Sequence, residues 1–131
     1  MYLRFVTSDK IPNMAARRGL FGATYAQLRR PDIDPKLRVE LQEQLDWFED
    51  NLAVPDRFNK SKSKGAYRRK TKGLAWFVND GNEAVTRGYA LARLLKRCGY
   101  TIEELRSSRI GYVIYKDALQ AIAEPFNDTP T

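Results

Sequence analysis

Residues Leu74–Val78 read Leu-Ala-Trp-Phe-Val, five apolar side chains in a row. A strand with one wet face alternates apolar and polar residues. A run with no polar member fits a strand covered on both faces, which places it in the middle of a sheet. The chain therefore has to supply neighbouring strands and material to cover two sides. Tyr2–Thr7 (YLRFVT) is aromatic and β-branched and reads as a first strand, with Leu3 and Phe5 alternating against Arg4 and Val6. Ser8–Asn13, with Asp9 and Pro12, reads as a turn.

Three segments carry helical spacing. Arg18–Arg30 places Phe21, Tyr25 and Leu28 on one face, is weakened by Gly19 and Gly22, and is stopped by Pro31. Pro35–Leu52 is the strongest. Asp34 can cap it, Pro35 suits its first position, and Leu37, Leu41, Leu45, Phe48 and Leu52 form a continuous apolar stripe. Its outer face holds Glu40, Glu43, Asp46, Glu49 and Asp50. Glu83–Arg97 follows the plausible cap Asn82, buries Val85, Leu91, Leu94 and Leu95, uses Gly88 and Ala92 as small contacts, and ends before Gly99.

The last third reads as sheet. Tyr100–Arg106 is ambiguous between a capping box at Thr101 and Glu104 and an edge strand using Ile102 and Leu105. Ile110–Lys116 and Leu119–Glu124 read as a hairpin joined at Asp117-Ala118. One face of its first strand, carrying either Tyr112 and Ile114 or Val113 and Tyr115, is expected in the core. The order β-α-α-β-α-(β)-β-β predicts an α+β fold. Its mixed β-sheet of about four to five strands carries three helices, packed mainly on one face. A single domain over residues 1–126 is expected, with a basic flexible loop at 59–73 and a frayed tail at 127–131.

Charge is concentrated in that loop. Asn59–Gly73 (NKSKSKGAYRRKTKG) holds seven cations and no acid, and outside it 16 basic residues face 16 acidic ones. The net charge of +7 is thus one local strip, the footprint of a polyanion binder. Lys60, Lys62, Lys64, Arg68, Arg69, Lys70 and Lys72 are the candidate phosphate contacts. Tyr67 supplies a ring for base stacking. Arg87, Arg93, Lys96 and Arg97 on the third helix could extend the path. This points to a nucleic-acid-binding module for RNA or single-stranded DNA, with little sequence preference.

Two other readings stay open. The strip could meet an acidic protein partner, as in an accessory or immunity-type protein, or fold onto Glu40, Glu43 and Asp50 of the same chain. A metal-independent ribonuclease could draw on Tyr67, Arg68, Arg69, Lys70, Arg109, Tyr112, Tyr115 and Glu124. The chain has no histidine and one cysteine, Cys98, which rules out Ser-His-Asp and Cys-His catalysis within it and zinc sites built from Cys and His. No cofactor or metal is expected. Gly19-Leu20-Phe21-Gly22 lacks the lysine and spacing of a phosphate loop. No membrane contact is expected either. No apolar run approaches the roughly 20 residues of a membrane span, and the N-terminus has no leader layout. With one cysteine, a reducing cytoplasm is the expected compartment.

Trp47-Phe48, Val54-Pro55 with Arg57-Phe58, Trp76-Phe77, Gly111-Tyr112-Val113-Ile114-Tyr115 and Ala123-Glu124-Pro125-Phe126 run through nearly the whole chain. This pattern of aromatic residues and Pro/Gly punctuation resembles an uncharacterised family of small single-domain bacterial proteins. The resemblance implies a bacterial, one-domain, cytoplasmic protein and carries over no functional residue.

Overall fold

The computed structural model describes residues 1–12, 14–53 and 73–131. Among them the chain forms β1 (Tyr2–Lys10), β2 (Arg17–Gly19), α1 (Leu20–Leu28), α2 (Pro35–Asn51), β3 (Leu74–Val78), α3 (Glu83–Arg97), β4 (Glu103–Ser107), β5 (Tyr112–Lys116) and β6 (Gln120–Glu124). The α+β class and the expected element order are observed, with β2 as a short addition. Among the described residues the sheet has six strands, running β2-β1-β3-β6-β5 with β4 also on β1. Every pairing is antiparallel, where a mixed sheet of four to five strands was expected, because each strand is reached by a turn or crossover that reverses direction.

Strand β3 is central, as its apolar run requires. Phe77 packs with Leu3 and Phe5 under the helices, while Leu74 and Trp76 join Val6, Leu105, Ile110, Ala121 and Ala123 on the opposite face. The helices are seated by local chemistry. The Asp34 carboxylate accepts from Leu37 N at 3.1 Å, and Pro35 opens α2, whose Leu41, Leu45 and Phe48 are buried. Asn82 Oδ1 accepts from Val85 N at 3.1 Å to start α3. Gly88 lets that helix approach the sheet: a Cβ there would lie 3.2 Å from both Phe5 Cε2 and Phe77 Cε2. Gly99 then ends the turn at φ +101°.

Three local expectations change and one ambiguity resolves. The strand β1 continues to Lys10 where a turn was expected from Ser8, because β2 pairs with its far end. Helix α1 buries Leu20, Ala23, Thr24 and Gln27, while Tyr25 is 42% exposed and donates to Glu49 at 3.1 Å. Thr24 can be inside because its hydroxyl donates to Leu20 O at 2.8 Å. Tyr100–Arg106 resolves toward the edge strand, with β4 pairing β1 from Tyr2↔Ser107 to Val6↔Glu103. The tail, read as frayed, is tied back: Thr131 O accepts from Arg17 N at 2.8 Å and from Arg4 Nη1 at 3.0 Å.

The β5–β6 turn is held by one carboxylate. Asp117 accepts from the Tyr115 hydroxyl at 2.7 Å and from the amides of Leu119 and Gln120 at 2.8 and 3.0 Å. Burial alone would raise its carboxyl, but these donors outweigh it and hold the group below the usual aspartate value. At acid pH the unfolded chain therefore binds more protons at this position than the folded one. The stabilisation is present above the ordinary aspartate pKa and is lost as pH falls through the lower, folded one. Replacement Asp117→Ala should cost about 1–3 kcal/mol at neutral pH, the range for unpairing buried donors. Urea unfolding at pH 7 and pH 3 checks this. The gap between the variant and wild type should narrow at the lower pH, and a constant gap would contradict the assignment.

Candidate nucleic-acid interface

Lys60, Lys62, Lys64, Tyr67, Arg68, Arg69, Lys70 and Lys72 all lie outside the described residues. The structure describes what flanks them. Helix α2 closes where Leu52 N donates to Phe48 O at 2.8 Å, and Ala53 O then accepts from Gln120 Nε2 of the buried strand β6. On the other side Gly73 leads directly into Leu74 of β3. The described residues on either side, Ala53 and Gly73, thus contact β6 and lead into the central strand β3.

The helix-three cations divide. Arg87 donates to Glu83 and lies 5.2 Å over the Trp47 ring, and Arg97 pairs with Glu40 at 3.2 Å. Arg93 and Lys96 make no ion pair among the described residues. The acidic face of α2 is equally open at Glu43 and Asp50, which also make none among the described residues.

An aromatic surface that the sequence reading placed in the core lies outside. Tyr112 is 58% and Val113 49% exposed. Strand β5 is an edge strand, and a register shift between Val113 and Tyr115 breaks the alternation that would bury one of its faces. Tyr112 meets Phe126 edge-on at 4.8 Å, and Arg109 stacks over Phe126 at 4.4 Å while pairing with Asp128 at 2.6 Å. Phe126, directly after Pro125, was the available signal for this stack. Of the types assembled for a ribonuclease, Tyr67, Arg68, Arg69 and Lys70 lie outside the described residues, and the described ones show no activated base. The Tyr115 hydroxyl is engaged with Asp117, which raises its pKa, the opposite of what a general base requires. Glu124 is buried at the end of β6. At Cys98, burial pushes the thiol up, away from thiolate chemistry.

Fold and flanks together define an α+β domain with an antiparallel sheet, helices against it, and a basic segment between its second helix and its central strand. A scan of protein-family models, a search of curated proteins and a search of solved structures each return no match to the chain. No helix among the described residues is long and apolar enough to cross a membrane.

Proposed function

We propose that this chain is a non-enzymatic nucleic-acid-binding module that grips RNA or single-stranded DNA through the segment Asn59–Gly73. Lys60, Lys62, Lys64, Arg68, Arg69, Lys70 and Lys72 contact phosphates, and Tyr67 stacks on a base. The observation that carries this reading is the placement of the whole net charge in fifteen residues of an otherwise balanced chain. The anchored residues on either side, Ala53 and Leu74, support it, because a segment joined to a folded domain at both ends loses less freedom on binding than a free tail. Arg93 and Lys96 extend the path, and the exposed Tyr112–Phe126–Arg109 stack offers a second surface on which unpaired bases can lie.

Phosphate contacts release counterions, so affinity falls as salt rises, by a slope of about 0.7 per phosphate for single strands. Labelled single-stranded RNA titrated at several salt concentrations should show a slope of about 3 or more, with little difference between sequences of equal length. Binding that ignores salt, or no binding at low salt, would contradict the proposal.

A further inference from the structure

Helices α2 and α3 run antiparallel. Arg97 pairs with Glu40 at 3.2 Å near the start of α2, and Arg87 lies 5.2 Å over the Trp47 ring further along it. Going forward on α2 is thus going backward on α3, which brings Glu43 level with Arg93. A groove of about 400 Å³ runs between the helices here. Glu40 and Glu43 line its α2 wall, and Ala90, Arg93, Leu94 and Arg97 line its α3 wall.

The charges are sorted by helix. Along this side of α2, at helical spacing, stand Glu40, Glu43, Trp47 and Asp50. Along the facing side of α3 stand Arg97, Arg93 and Ala90. Attraction within the chain accounts for the Glu40–Arg97 pair. It does not account for Glu43 and Arg93, which are level with each other, exposed, and without an ion pair among the described residues. Val39, one turn before Glu43, is 56% exposed and adds apolar surface to α2.

We propose that this face docks a second copy of the chain. A two-fold axis lying along the helices sets α2 of one copy on α3 of the other and keeps every residue at its own level. Glu43 then meets Arg93 of the second copy, and Arg93 meets its Glu43. A different partner would need a basic stripe over α2 and an acidic stripe over α3, and this chain carries that pattern itself. Nucleic acid does not, because Glu40, Glu43 and Asp50 repel phosphate. The phosphate path keeps Lys96, which does not line the groove, while Arg93 serves the path in the single copy and the interface in the pair.

Size and charge both permit the contact. With 17 and 15 residues, α2 and α3 are each about 22–25 Å long, and two helices about 9 Å apart present a face roughly 20 Å wide. The footprint is roughly 500 Å² per copy and about 1,000 Å² in all, which reaches the lower bound of a specific interface. Outside Asn59–Gly73 the chain holds 16 basic and 16 acidic residues, so the two bodies carry no net charge to repel each other.

Sedimentation velocity of the full chain, freed of nucleic acid so that no strand bridges two copies, tests this at about 0.1 M salt, where opposite charges in contact still attract. The wild type should move from 15.1 kDa toward twice that mass as its concentration rises to about 0.5 mM, the weak association expected of a small interface. Glu43→Arg and Arg93→Glu should each weaken self-association by about a hundredfold or more, because like charges then meet at both symmetric contacts. An equimolar mixture of the two variants should pair again, since each supplies the charge that the other lacks. Both positions are exposed, so the variants should unfold at the wild-type midpoint. A wild type that keeps one mass throughout would leave the groove to solvent or to another protein and overturn the proposal. A dimer that either variant retains, or a mixture that stays monomeric, would overturn it as well.

Discussion

Replacing Gly111 with alanine should destabilise the protein by about 4 kcal/mol or more, a loss at the far end of what single substitutions do. Two separate costs combine. Gly111 sits at φ +128°, a conformation that side-chain-bearing residues rarely adopt. A Cβ there would also lie 2.0 Å from Glu124 O, 2.6 Å from Glu124 C and 2.8 Å from Pro125 Cα. All three are backbone atoms, so no rotamer change relieves the overlap. The start of β5 would have to leave β6, carrying Tyr112 away from its partner Glu124 and from the Phe126 ring. Gly81 provides the control. It has φ +80° but nothing within 4 Å of its Cβ, so Gly81→Ala keeps the dihedral cost of about 1 kcal/mol and none of the collision. Chemical unfolding of the two variants side by side checks the difference. Equal losses would mean that the chain does not cross β6 as described.

The second large effect is on binding. Changing Arg68, Arg69 and Lys70 together to alanine should lower affinity for single-stranded RNA by about a hundredfold at 0.1 M salt, taking 0.7 of counterion release for each of three lost phosphate contacts. The fold should be indifferent, because the segment follows a helix end and precedes a strand that are each anchored through described residues, at Ala53 and Leu74. An unfolding midpoint that matches wild type would therefore accompany the loss. A variant that binds as before would remove these three residues from the interface.

Much of the fold was legible because several signals agreed at once. Helix α2 had a cap, a proline at its first position and an apolar stripe, and Leu74–Val78 had no polar residue to face water. What escaped depended on pairing rather than on side chains. Strand β2 is Arg17, Arg18 and Gly19, three residues without strand character that are held by backbone contact with β1. Tyr112 and Val113 look like core residues, and their exposure follows from an edge position and a register shift that composition does not encode. Charge made the basic segment visible, although its side chains lie outside the described residues.

The dependence of RNA affinity on salt, measured in parallel for the wild type and the Arg68, Arg69 and Lys70 triple variant, tests the central claim most directly. The account predicts two straight log–log lines, with the variant shallower by about 2. Parallel lines would show that the positive charge of Asn59–Gly73 does not touch the phosphates.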